Sequence, residues 1–567
     1  MKKIHALIIA CAALASACCG PKDGEYTLRI LSTNDVHGHY FDSLYLSDGT
    51  APSLVSAAWY IDSVRVAAGK ENVLLIDAGD CLHGDNAAYY YNYVDTESEH
   101  VYSRMLEYLE YDAWVPGNHD FETGHPVYDR IAQTLDVPIL AANALRTDNG
   151  RPYFGDYTIV RRNGLKIAVI GFTNPNIENA YAPELWEGID FESLIPDFTQ
   201  KVVDKVRAEE EPDVVIVAIH SGAGRGDGSQ LEQQGLDLFS SLEGVDFIIS
   251  SHDHRAAVYQ EDDICMFNTG NYCANLGYGE IVLTVKDGKV VDKKLSARLI
   301  PLDKDKVDRK MQEEFRPDYE AVKAFVTRKV GSLKSDMNTR DALYGMSDYV
   351  NLLHTVCLEA SGAQISFAAP VTTGAVLKAG DVVYNDLMTL YSYDNQLYVM
   401  KMSGKEIKDY LEHSYDGWIN TLDGKSETLL KMRNIFSSYN LDSAGGLVYE
   451  TDVTKPFGER VSIRSMADGS AFDMEAEYKV AMNSFRALGG GGLLEKAGVD
   501  MEHIDVRVDG IYPDIRTLLN DFFERNTEIC SEQIGDPSVI GEWKFVPEKK
   551  AAKAFEQDMS RFTRRRL

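Results

Sequence analysis

Val115-Pro116-Gly117-Asn118-His119-Asp120-Phe121-Glu122 sets an amide, an imidazole and two carboxylates within five consecutive residues, directly after a Pro-Gly turn. Such a run is costly to bury unless each polar group meets a partner or a metal. Alone it reads equally well as a polar surface loop. The segments around it decide. From Tyr26 onward, short apolar runs alternate with longer stretches of helical periodicity, the pattern of a layered α/β domain. The apolar runs are Leu28–Leu31, Val73–Ile76, Ala113–Val115, Ile167–Ile170, Val214–Ile219 and Phe247–Ile249. Between them, Ser53–Ala68 and Glu99–Leu109 read as amphipathic helices.

The ends of these runs carry the chemistry. The first runs into Asn34-Asp35-Val36-His37, the second into Asp77-Ala78-Gly79-Asp80, and the third into Gly117-Asn118-His119-Asp120. The fifth ends in His220-Ser221-Gly222 and the sixth in Ser251-His252-Asp253-His254, while Gly171-Phe172-Thr173-Asn174 after the fourth offers no comparable ligand. Open α/β sheets place ligand sites at the carboxyl ends of their strands, so five such ends point to one rim. Each pair has an ordinary reading: Asp35-x-His37 as a cap beside a surface histidine, His252-x-His254 as two solvated imidazoles. All of those readings must hold together for the rim to be inert. Mixed carboxylate, amide and imidazole donors suit zinc, manganese or iron better than magnesium or calcium. They are too many for one tetrahedral zinc. Two metals about 3.5–4 Å apart, bridged by a carboxylate, accommodate them.

The order Asp-x-His, Gly-Asp, Gly-Asn-His, His, His-x-His resembles the metallophosphoesterase superfamily. The whole plan, with an N-terminal targeting segment and a large second domain, is similar to the bacterial 5'-nucleotidase/UDP-sugar hydrolase family. Ser251 stands where that pattern has Gly. The resemblance implies a four-layer α/β/β/α metallophosphoesterase domain followed by a mixed α/β C-terminal domain of 5'-nucleotidase type. It implies one divalent metal on Asp35, His37, Asp80 and His254, and a second on Asp80, Asn118, His220 and His252, with Asp80 bridging. The implied reaction is hydrolysis of a phosphomonoester, 5'-nucleotides first, by attack of a metal-bridging hydroxide. Cyclic-nucleotide or nucleotide-sugar hydrolysis and a non-nucleoside phosphatase stand as alternatives, and a surface binding protein with a residual metal core is the rival from another class. His119 is expected to face the substrate as a hydrogen-bond donor to the phosphoryl group or leaving oxygen. The family pairs this histidine with an Asp three residues later; here Glu122 stands there, and Asp120 stands where Glu is usual. His83, in Gly79-Asp80-Cys81-Leu82-His83-Gly84-Asp85, replaces a frequent Gln and is read as lying behind the ligands. His39 and His125 are expected to pack or hydrogen-bond near by.

Composition bounds the partners. The chain of 567 residues is too long for one core, and its 44% hydrophobic and 26% charged residues are ordinary globular material. A formal net charge of -31 argues against a nucleic-acid polymer as partner, which needs a basic footprint. It leaves small anionic substrates open, because local metal charge outweighs a distant acidic surface. Residues 1–24 read as a targeting segment, with Met1-Lys2-Lys3 before a short apolar run and Leu14-Ala15-Ser16-Ala17-Cys18 resembling a lipoprotein cleavage site. The protein is thus expected to be exported, as an outer-membrane or cell-surface lipoprotein or in the periplasm, with membrane contact only through a lipid on Cys18. Cys81, Cys265, Cys273, Cys357 and Cys530 are scattered and form no disulfide framework, although a Cys265–Cys273 pair stays open.

The expected domains are 25–302 catalytic, 303–335 a charged linker helix, 336–540 substrate-binding and 541–567 a basic tail. In the third, Asp348–Ser361 reads as a helix and Gln396–Met402 and Glu477–Met482 as strands. Asn483-Ser484-Phe485-Arg486-Ala487-Leu488-Gly489-Gly490-Gly491-Gly492 resembles the family motif for an aromatic platform and a ribose-binding Asp; Phe485 matches the aromatic, but Gly491 stands in place of the Asp. The family's Asn-Gly-Gly-Gly-Ile-Arg falls on Ser366–Val371, without its Arg. The partner aromatic falls on Leu441, with Tyr439 near by as a substitute, and Arg340 matches another substrate-binding Arg. Metal chemistry is therefore inherited more fully than nucleotide specificity.

Overall fold

All six side chains of Val214–Ile219 are buried, which requires cover on both faces of the sheet they join. The computed structural model describes residues 20–564 apart from 425, 432–437 and 502. Cys18 and most of the targeting segment lie outside the described residues. The chain divides into two units, residues 1–178 with 182–323 and residues 179–181 with 324–567.

The main strands of the first unit are β1 (Gly24–Thr33), β2 (Val73–Asp77), β3 (Ala113–Trp114), β4 (Tyr157–Arg162), β5 (Leu165–Phe172), β6 (Val214–Ile219), β7 (Phe247–Ile249), β8 (Ala257–Gln260), β9 (Cys265–Asn268), β10 (Asn275–Lys286) and β11 (Lys289–Pro301). One sheet has the order β11-β10-β1-β2-β3 and the other β8-β9-β7-β6-β5-β4. Leu28, Ile30, Leu74 and Ile76 of the first meet Ile167, Val169, Val214, Ile216 and Ile249 of the second in a common core. The alternate residues Ile170, Val215, Val217 and Ile248 pack outward against Val203 and Val206 of helix Pro196–Glu210 and Leu238 of helix Gly235–Ser241. Helix Leu54–Ala68, capped by Ser53, packs on β2. The architecture is a four-layer α/β/β/α domain. Strands β1, β2 and β3 run parallel, as do β5, β6, β7 and β9, so each sheet has a rim of carboxyl ends.

In the second unit, β12 (Ile365–Ala368), β13 (Gln396–Ser403), β14 (Ser443–Gly445), β15 (Glu477–Asn483) and β16 (Val508–Asp514) form a sheet of order β14-β12-β15-β13-β16. Helix Asp348–Ser361 packs against it through a face that includes Leu352, Leu353 and Val356.

One expectation changes, and two open readings are filled in. The charged segment 303–335 is not one helix: helices Arg309–Glu314 and Arg316–Val326 are followed by a strand, Lys329–Leu333, paired with Gly380–Val383. Val330 and Leu333 face inward there, and Gly331 has no room for a Cβ beside Phe523. Within the basic tail, Gly541–Val546 pairs with Leu447–Asp452, and helix Glu548–Arg564 receives the N–H groups of Leu429 and Leu430 on Asp558. Cys265 and Cys273 are both free and buried, one inside β9 and the other with its thiol toward the His39 carbonyl.

Candidate metal centre

The strand ends turn sharply. Asp35, His37, Asp80, His252 and His254 all have positive φ, between 48° and 70°, a region that non-glycine residues rarely adopt. Such backbone costs of order 1–3 kcal/mol per residue and persists where surrounding structure fixes it, as at functional sites. Here hydrogen bonds fix it. Asp35 N–H donates to the Gly79 carbonyl and His37 N–H to the Asp80 carbonyl, at 2.8 and 2.9 Å. Glycines make the approach feasible: a Cβ on Gly79 would lie 2.4 Å from Gly117 N, and one on Gly117 2.2 Å from Asp80 Oδ1. The small residues in Gly-Asp and Gly-Asn-His are thus contact requirements.

Two groups of ligand atoms result. In the first, Asp35, His37 and His254 converge within 4.8 Å. His37 Nε2 and His254 Nε2 are 2.9 Å apart, and Asp35 Oδ1 lies 3.8 and 3.5 Å from them. The other Asp35 oxygen accepts from Asn34 Nδ2 and His252 N–H, whereas the buried Oδ1 has no hydrogen-bond partner among the described residues. An unpartnered buried carboxylate oxygen facing two imidazole nitrogens fits a cation. In the second group, His220 Nε2 is 3.0 Å from Asp80 Oδ2, and His252 Nδ1 is 2.9 Å from Asn118 Oδ1. His220 Nδ1 donates to the Ala78 carbonyl at 2.7 Å, which leaves Nε2 as the donor atom for an ion. Ser251 is no loss: its buried hydroxyl lies 3.0 and 2.9 Å from the carbonyls of Ala78 and Ile219, which share its one proton. Burial opposes the charge on Asp80, but His220 and His119 beside it hold its carboxyl well below the usual range.

Asn118–Glu122, the stretch quoted first, is a short helix capped by Gly117. One turn puts His119 and Glu122 on the same face, and Glu122 Oε2 meets His119 Nδ1 at 2.5 Å. Burial pushes His119 down, yet the Asp80 and Glu122 carboxylates outweigh it and raise the imidazole to about 9. Asp120 points the other way. Its carboxylate accepts the backbone N–H groups of Asp80, Cys81, Leu82 and Gly117 at 2.7 to 2.9 Å, tying the β2 loop to the helix start. The two acids have different work. His83 lies against His119, His39 stacks on Tyr272, and His125 bonds Asp129 and the Glu187 carbonyl.

In the second unit Phe485 and Tyr439 do come together, with ring centroids 6.0 Å apart, but their planes are at 82°. That is an edge-to-face pair, not two parallel walls with a slot for a base. Arg340 sits on the turn Thr339–Leu343 and donates from Nε to the Thr373 carbonyl. Gly491 has φ +74°, and a Cβ there would lie 2.3 Å from Asn440 Oδ1 and 2.5 Å from Arg486 Nη1.

Three neighbours escaped the sequence reading. Asn271 Nδ2 is 3.1 Å from His254 Nδ1, and Tyr272, 44% exposed, packs beside His37 and His254. Both follow β9, whose Asn268-Thr269-Gly270 end satisfies the same strand-end rule, had the strand been recognised. Glu232 Oε2 lies 3.9 Å from His252 Nε2, in a long loop whose spacing gives no signal.

Residues 28–256 match the family model of the calcineurin-like phosphoesterases, and residues 327–497 match that of the 5'-nucleotidase C-terminal domain. The trifunctional nucleotide phosphoesterase protein YfkN of Bacillus subtilis is 26% identical over 94% of this chain, and the match spans 40% of that protein's length. A 2',3'-cyclic-nucleotide 2'-phosphodiesterase/3'-nucleotidase of Salmonella typhimurium is 27% identical, covering 84% of this chain and 83% of that one. Among solved structures, a putative 5'-nucleotidase from Staphylococcus aureus superposes with a TM-score of 0.74 at 21% identity, covering 92% of this chain and 99% of that one.

Proposed function

The chain belongs to the calcineurin-like phosphoesterases that carry a 5'-nucleotidase C-terminal domain, and from that premise we propose an exported, dinuclear-metal hydrolase of phosphomonoesters, with 5'-nucleotides as its leading substrate class. The observation that carries the reading is the pair of ligand groups, Asp35–His37–His254 and Asp80–His220–His252, with His119–Glu122 beside them. Asn118 would complete the second group, and Asp80 would be the ligand shared by both ions. Imidazole, carboxylate and amide donors together favour zinc, manganese or iron. When bound, two such ions supply a nucleophilic water and neutralise the phosphoryl oxygens. The residues do the rest. Asn34 and His252 N–H orient Asp35, and the Ala78 carbonyl orients His220. His119 presents a proton to the leaving oxygen, and Glu122 on Nδ1 holds the imidazole charged and aligned. Phe485, Tyr439 and Arg340 are offered as substrate-recognition residues, with the perpendicular aromatic pair supporting contact at a ring edge more than intercalation.

A second reading is hydrolysis of 2',3'-cyclic nucleotides. It is supported by the name of the Salmonella relative and by Gly491, because a cyclic 2',3'-diester has no free diol for a carboxylate to accept. The test is phosphate or monoester release from 5'-nucleotides, 2',3'-cyclic nucleotides, nucleotide sugars and sugar phosphates, by protein stripped with chelator and reloaded with manganese or zinc. The leading reading expects 5'-nucleotides to be preferred and chelation to abolish turnover. Preference for the cyclic diesters selects the second reading, and turnover that survives complete metal removal contradicts both.

A further inference from the structure

His83 lies flat on His119, with ring centroids 4.4 Å apart and planes 12° from parallel. Ligand atoms of His83, His119 and Glu122 fall within 4.8 Å of one another, which resembles a third metal group. The stack argues against that, because imidazole lone pairs lie in the ring plane and those of two parallel rings do not converge on one ion. The arrangement instead immobilises a ring. Glu122 holds His119 at Nδ1, but rotation about that hydrogen bond would swing Nε2 through an arc, and the terminal torsion of histidine is intrinsically broad. The flat face of His83 removes that freedom on one side of the ring, and His37, with its centroid 5.6 Å away and its plane at 69°, stands beside the ring.

His83 is itself held in place. Gly84 after it has φ +110°, and a Cβ there would come 2.8 Å from His37 Cβ, so the loop is pressed against a ligand residue. His83 also meets His37 edge-on at 6.1 Å. We propose that His83 is a positioning residue for His119, a planar backing that fixes the direction in which the His119 proton is delivered to the leaving oxygen. This rests on the reading of His119 as that proton donor. His83 forms no bond to substrate in this role, and its ring, not its nitrogens, is what counts.

The test uses metal-loaded full-length protein and two esters, an alkyl phosphate whose leaving alkoxide needs a proton and a 4-nitrophenyl phosphate whose leaving group does not. His83→Ala and His83→Gln should each lower kcat on the alkyl ester by about 10-fold, with KM and metal content unchanged and the aryl ester affected less than about 2-fold. His83→Phe, which keeps a flat ring without nitrogen, should recover most of the loss. Adding His83→Ala to His119→Ala should cost nothing more. Rescue by Gln but not Phe overturns the proposal, as do equal losses on both esters or losses that add in the double variant. If His119→Ala is impaired equally on both esters, the proton-donor reading itself has failed; if His119→Ala shows the leaving-group dependence and His83→Ala does not, only the role of His83 has.

Discussion

His119 and Glu122 face each other because one helical turn separates them, while Asp120, next in sequence to His119, turns its carboxylate onto four backbone N–H groups. From the sequence the two acids look exchanged, and Glu122 is read as the partner of His119. The order of residues does not say whether they lie on a loop or a helix; the short helix Asn118–Glu122 does. Two variants separate the roles. Asp120→Ala leaves four buried N–H groups without their acceptor and should cost roughly 3 kcal/mol or more, read as a lower denaturant midpoint for the first unit. Glu122→Gln should leave stability within about 1 kcal/mol but reduce kcat on an alkyl phosphate by about 10-fold or more. Full turnover by Glu122→Gln would remove Glu122 from the mechanism. The candidate ligands were legible as a group because Asp, Asn and His at strand ends are uncommon together. Asn271, Tyr272 and Glu232 were not, since each reaches the site through contacts with residues distant in sequence.

Strands and their ends were the most readable elements. All six apolar runs fall on or at the end of β1, β2, β3, β5, β6 and β7, because burial on both faces forces continuous apolar residues. The misses have physical causes. Strand Lys329–Leu333 is short, contains a glycine and pairs with Gly380–Val383, about fifty residues downstream, so no local pattern marks it. The helix Asp348–Ser361 was legible, but its fully buried His354 was not singled out. That imidazole joins the helix to β12 and β14, with Nδ1 2.8 Å from Ser366 Oγ and Nε2 3.0 Å from Ser443 Oγ. Burial lowers it from 6.5 to about 3, so it is neutral in the fold. Between those values the unfolded chain binds a proton that the folded chain refuses. Stability is therefore complete above pH 6.5 and falls as pH drops toward 3, by up to about 1.4 kcal/mol per pH unit for this group. Guanidinium unfolding of the second unit at pH 7.5 and 5.5 should show the loss. His354→Gln, which still offers both hydroxyls a partner but does not titrate, should lose less on acidification; an equal loss would place the dependence elsewhere.

For the whole molecule, the net charge of -31 coexists with a centre built for phosphate esters. The two are compatible because the implied ions, not the surface, set the local potential. The clustering of candidate ligands in the first unit was legible in the sequence, since Asp, Asn and His recur at the strand ends that meet there. Substrate choice was not, because in the second unit the expected Arg and Asp are absent and Gly491 has no space for a side chain. The central claim is that seven side chains of the first unit hold two metals through a shared Asp80. Metal content per chain, measured by mass spectrometry on protein stripped and reloaded with manganese or zinc, tests it most directly when wild type and Asp80→Ala are compared with phosphate release from the same samples. The account predicts two ions per wild-type chain, and loss of both tight metal binding and phosphate release in Asp80→Ala. One ion in the wild type, or an Asp80→Ala protein that keeps two ions and full phosphate release, would contradict it.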